Sequence, residues 1–211
     1  MRKLLLSVWL IGPVGAVAYH YGPGQDRLRV DAAATAIAEA ETAASEAREI
    51  AAKKGDREAR DAWSVAEEAC SKAIAALPAD RIAELRTLKL ARAKAQMMIS
   101  KLPDARRDLE ALVEELSSDP TSDRTLKRDA QRTLASARYF TTWLLRLEGV
   151  PREEWGPEIE SARQTQKHLA EEAERIGDLV LAKAAREDLE SAIRLERMAI
   201  GELQGLPLPS Q

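Results

Sequence analysis

Cysteine, histidine and aromatic side chains are all scarce in this chain. The single cysteine, Cys70, excludes an internal disulfide framework. The two histidines, His20 and His168, have no partners that would complete a metal-ligand set of the usual kind. No glycine-rich phosphate loop, no G-x-S-x-G and no H-E-x-x-H is present, which removes the chemistries those motifs carry. There is no excess of positive charge: the formal net charge is -3 and the isoelectric point about 5.6, which argues against a nucleic-acid surface. Strand formers are few, and aromatics make up only 4% of 211 residues.

What is abundant is Ala, Leu, Glu and Arg, residues that lose little entropy on entering a helix. Glycine and proline fall mostly between the helical patterns, so the sequence predicts an all-α protein. Its first stretch, 1–21, differs from the rest. Arg2 and Lys3 precede an apolar run over 4–19, the order of an export signal. Ala16-Val17-Ala18 offers an A-x-A site, so a signal peptide cleaved near Tyr19 is one reading. The other is a retained signal anchor, with Tyr19, His20 and Tyr21 at the membrane interface and the chain beyond Gly22 outside the cytoplasm. The run is short against the roughly 20 apolar residues of a spanning helix, and Pro13 bends it. A third reading is a buried N-terminal core helix.

Residues 22–25 read as a linker, 26–203 as an α-helical hairpin domain, and 204–211 as an extended tail. In the first helix, from an Asp26 cap to Lys54, Val30, Ile37, Ala44 and Ala51 alternate with Ala33, Ala40 and Ala47 in a seam of small residues. Gly55-Asp56 ends it and caps a second helix that carries Trp63, Cys70 and Leu77 on one face. A third helix is expected from Asp80 to Lys101, although Leu88 to Ala95 alternates like a strand; its residues are strong helix formers. A fourth starts at Leu102-Pro103 and carries Ala105, Leu109, Leu112 and Leu116. The fifth runs from a loop at Asp119-Pro120 to Leu147, with Leu126, Leu134, Phe140 and Leu144 assigned to its apolar face. Tyr139, Phe140, Trp143 and Trp155 form the expected hydrophobic hub. Pro157 is expected to open a sixth helix, with Ile159, Leu169 and Ile176 in its core face. Gly177-Asp178 then leads to a last helix ending near Leu203. Short links between seven amphipathic helices predict antiparallel neighbours: about three hairpins and a closing helix.

The stretch from Lys89 to Pro120 resembles one tetratricopeptide-type helix-turn-helix repeat. Its length suits that family, and Ile99, Leu112 and Pro120 fall where the family uses large apolar residues and a closing proline. Gln96 and Asp108 stand where the family prefers small residues, and the other helices are longer and less evenly spaced than its repeat. The resemblance implies a short TPR-like array, a superhelical scaffold whose concave side binds another protein. It marks no binding residue.

Individual side chains offer little chemistry. Cys70 sits among Trp63, Ala66, Ala73 and Ile74 at helical spacing and reads as a small buried hydrophobe. His168 and Glu172 are one helical turn apart and read as a surface pair rather than metal ligands. The carboxylates of Glu67-Glu68, Glu114-Glu115 and Glu171-Glu172 are adjacent in sequence, so they point in different directions. Leu206-Pro207-Leu208-Pro209 lacks the P-x-x-P spacing of a polyproline ligand and reads as a loose end. The expectation is therefore a non-enzymatic scaffold without catalytic, cofactor or metal residues. Its partner would be another protein or itself, and it would bind no nucleic acid. Residues 4–19 would hold it to the cytoplasmic membrane as a single-pass protein, the alternative being a secreted or periplasmic chain. Two other functions remain open: a structural envelope protein self-associating through 26–54, and an exported enzyme with carboxylates gathered across helices.

Overall fold

A computed structural model of the protein describes residues 23–203. The expected anchor or signal at 1–21 and the tail at 204–211 lie outside the described residues. Those that are described form eight helices and no strand: α1 (Pro23–Lys54), α2 (Asp56–Ala76), α3 (Ile82–Met98), α4 (Leu102–Ser118), α5 (Arg124–Leu147), α6 (Arg152–Ile176), α7 (Leu179–Arg197) and the single turn α8 (Ile200–Leu203). Among them no helix is long and apolar enough to cross a membrane.

From α1 to α7 each helix packs against the next in sequence, and the direction reverses each time. On α3 and α4, for example, Arg92 meets Asp108 at 2.8 Å while the earlier Arg86 meets the later Glu115, also at 2.8 Å. A second set of contacts joins α1 to α3, α3 to α5 and α5 to α7. The odd-numbered helices therefore lie side by side along one layer, and α2, α4 and α6 fill the other.

The small seam of α1 explains its close approach to α2. Ala40 packs with Cys70 and Ala73, and Ala47 with Ala59, Trp63 and Ala66. The alternation in α3 comes from burial on two sides rather than from a strand. Leu88 and Ala95 face the α1–α2 clusters, whereas Leu90 and Ala93 face a core shared with Leu109, Leu112 and Leu134. Gln96 and Asp108, unusual for the tetratricopeptide pattern, meet across this interface at 3.4 Å, and Arg92 shares the Asp108 carboxylate. The aromatic hub closes the far end. Trp143 and Trp155 are buried with Ile159, Ala192, Leu195 and Leu203, and Tyr139 and Phe140 pack edge to face beside them.

Several expected boundaries shift. Pro23 to Gln25 belong to α1 rather than to a linker, because a proline at a helix start gives up only a donor that had no partner there. Gly55, with φ of 97°, takes the N-cap place and its carbonyl accepts the Ala59 amide, so Asp56 is the first helical residue and caps nothing. The third helix starts at Ile82, two residues past Asp80, and stops at Met98. Ser100 then adopts φ of 66° and the Lys101 amide closes onto the Gln96 carbonyl. Pro157 lies inside α6, which begins at Arg152 after a turn at Gly149 to Pro151. Leu144 and Ile176 are exposed rather than in the core, and the closing helix breaks at Met198 and Ala199 before α8. Gly177 and Asp178 behave as expected: a left-handed C-cap, then a carboxylate that accepts the Leu181 amide at 3.0 Å.

Candidate functional site

A groove of about 850 Å³ runs across the odd-numbered layer. Small side chains make the trough: Ala51 and Ala52 on α1, Ala135 and Ser136 on α5, Ser191 and Ala192 on α7. Met97 and Met98 at the end of α3 and Tyr139 and Phe140 on α5 give it an apolar, adaptable wall. Because the odd-numbered helices present small residues here, side chains of the other layer reach the groove between them. Trp63 comes up from α2, and Ala162 and Gln166 from α6.

Two of these carry polar atoms with no partner. Trp63 is 8% exposed and its indole Nε1 donates to nothing; Gln166 is 3% exposed and its Oε1 accepts nothing. A buried donor or acceptor left unmade costs about 1–3 kcal/mol, and both atoms are closed off from solvent although their residues line the groove. Charge in the groove is balanced by ion pairs that bridge neighbouring helices. Lys94 on α3 holds Asp129 on α5 at 2.8 Å, and Arg132 on α5 holds Asp188 on α7 at 3.2 Å. Burial pushes the Tyr139 phenol upward against a weaker pull from Arg194, so at neutral pH it stands in the groove wall as a neutral hydroxyl.

The side chains singled out from the sequence lie elsewhere. Cys70 is buried between α1, α2 and α3, where burial pushes its thiol up and Arg92 only partly opposes that. His168 is exposed and Glu172 half-buried on α6, and no group of three or more His, Cys, Asp or Glu among the described residues is placed to hold a metal ion. The adjacent carboxylates do diverge. Glu67 reaches Lys101 beyond the end of α3, whereas Glu68 pairs with Lys72 along its own helix. Glu115 turns to Arg86 and Lys89, and Glu171 to Lys167. His20 and the Leu206–Pro209 motif fall outside the described residues.

No protein-family model matches this chain, and no curated protein matches its sequence. The groove was not legible in the sequence. Trp63 reads there as a core residue, and nothing in the sequence singles out Gln166. The only available signal is a recurrence of small residues on alternate helices, and aligning it needs the register between helices.

Proposed function

We propose that this chain is a non-enzymatic interaction scaffold, a short TPR-like array of helical hairpins whose inner groove holds a segment of another protein. The single observation that carries this is the groove itself, about 850 Å³, in which Ala, Ser, Met and aromatic side chains form an apolar trough alongside the Lys94–Asp129 and Arg132–Asp188 ion pairs. A peptide segment brings apolar side chains for Met97, Met98 and Phe140 and polar groups for the charged part of the lining. The ion-paired state of Asp129 and Asp188 suits a recognition surface better than acid–base work, which calls for carboxylates whose environments push their protonation apart. On this reading residues 1–21 hold the scaffold at, or deliver it across, the cytoplasmic membrane.

The test is photo-crosslinking in cells from a reactive residue placed at Ala52 or Ser191, both exposed in the groove, against one at Val65, an exposed α2 residue outside it. A discrete adduct from the groove positions, absent from Val65, is the expected result. Identical adducts from all three positions would remove the groove from the function.

A further inference from the structure

We infer that the turn between α6 and α7 is a tip that seats on an anionic lipid surface. Ile176, Leu179 and Val180 are 53%, 76% and 82% exposed there. The turn itself needs only the left-handed Gly177 and the Asp178 cap, and none of the three apolar side chains belongs to a core cluster. Nothing in the fold accounts for a leucine and a valine held out in water, and an exposed apolar patch marks a contact surface. Val30 and Ile82 are exposed toward the same end, where the odd-numbered helices start. None of these residues lines the groove, so this is a second surface, independent of it.

Cations stand beside the tip. Arg175 directly precedes Ile176, and on α5 Arg124, Lys127 and Arg128 share one face of the first two turns. The Arg132–Asp188 pair at 3.2 Å fixes how that face stands against α7. The two helices run in the same direction, so Arg124, eight residues before Arg132, is about level with Val180, eight residues before Asp188. The carboxylates at this end are mostly engaged. Arg86 and Lys89 hold Glu115 and Asp119, Arg186 holds Glu174, Lys167 faces Glu171 and Lys183 faces Glu187. Asp123 and Asp178 accept backbone amides as helix caps. Arg124, Lys127, Arg128 and Arg175 have no ion-pair partner among the described residues, which leaves their long side chains free to reach lipid phosphates. Apolar side chains entering the headgroup layer beside such cations hold a peripheral protein to an anionic bilayer. A hairpin end with a few apolar side chains offers too little area for a stable protein interface, which favours lipid over a protein partner.

The test uses the full-length chain with vesicles of phosphatidylcholine, with and without phosphatidylglycerol. An environment-sensitive dye is attached at Val180→Cys or, as the control at the opposite end, at Ile200→Cys; native Cys70 is buried and stays unlabelled in native buffer. Lipid carrying a nitroxide should quench the dye at 180 and spare the dye at 200, and should do so more strongly when phosphatidylglycerol is present. Each cation near an anionic surface contributes roughly fivefold, so Arg124→Gln, Lys127→Gln and Arg128→Gln together should weaken the contact about a hundredfold. Adding Leu179→Ser should weaken it further. A dye at 180 that is unquenched, or quenched no more than the dye at 200, overturns the proposal. So does quenching at 180 that ignores both the lipid charge and the three substitutions. A dye signal at 180 that shifts with protein concentration in the absence of lipid assigns the tip to contact between copies and overturns the lipid reading. The groove is judged separately, by the crosslinking from Ala52 and Ser191.

Discussion

Arg146 shows how one charged side chain closes the fold. It is buried on α5, donates to the Leu195 and Met198 carbonyls at the end of α7, and lies 5.0 Å over the Trp155 ring. Those carbonyls are the acceptors a helix end leaves unpaired, so the guanidinium serves as a cap supplied from another helix. Burial lowers its pKa, with Glu196 opposing, and a guanidinium in a protein remains a cation. Arg146→Met should cost about 2–3 kcal/mol, the scale of a lost hydrogen bond to a charged group, and should speed amide exchange across 198–203. Denaturant unfolding with hydrogen exchange checks this, and unchanged exchange there would show that the cap is dispensable. Cys70 is the opposite kind of residue, inert by burial. Its thiol should react with Ellman's reagent only as the protein unfolds in urea; full reaction in native buffer would contradict its packing.

At the level of elements, Gly177 and the charged end of α4 control two turns. Gly177 holds φ of 77° and a Cβ added there would meet no atom within 4 Å. Gly177→Ala therefore tests backbone strain alone and should lower stability by about 1–2 kcal/mol, with Gly177→Asn costing less. Equal stability of all three would mean the turn relaxes. Where α4 ends, Arg86 of α3 bridges Glu115 and Asp119, and Lys89 also reaches Glu115. Hydrogen bonds from Thr121 and Arg86 bring Asp119 down to about 2, while Glu115 is lowered because Lys89 and Arg86 outweigh its burial. Both carboxylates titrate lower in the folded chain than in the unfolded one. Their contribution is thus fully present above the ordinary values of 3.8 and 4.5 and is lost as pH falls toward about 2. Thermal melts across that window should decline less steeply for Asp119→Asn, and parallel curves would place the acid sensitivity elsewhere.

For the whole molecule, the seam of α1 decides between internal packing and self-association. Ala40 and Ala47 are buried against α2, so Ala40→Glu places an unpaired carboxylate inside the hairpin and should cost several kcal/mol. The expected outcome is a lower melting temperature with an unchanged sedimentation profile. If the substitution instead separates a native oligomer into folded protomers, the seam belongs to an interface between copies. Apolar surface that is left uncovered, notably Leu179 and Val180 at the turn into α7, is 76% and 82% exposed and takes no part in the groove.

The sequence by itself determined the helical class, the number of long helices, and most of their stops. Those follow from local causes: propensity, a period near 3.6 residues, and glycine or proline where the chain must turn. It also determined the aromatic hub, because Tyr139, Phe140, Trp143 and Trp155 are close in the chain. Only the tertiary structure decided that Pro157 lies within a helix and that Leu144 and Ile176 face outward. It alone decided that α3 is buried on two sides, and that Trp63 and Gln166 line one groove. Each of those depends on which helix stands beside which, and at what height. That relation is set by side-chain packing between distant parts of the chain, and no local pattern encodes it.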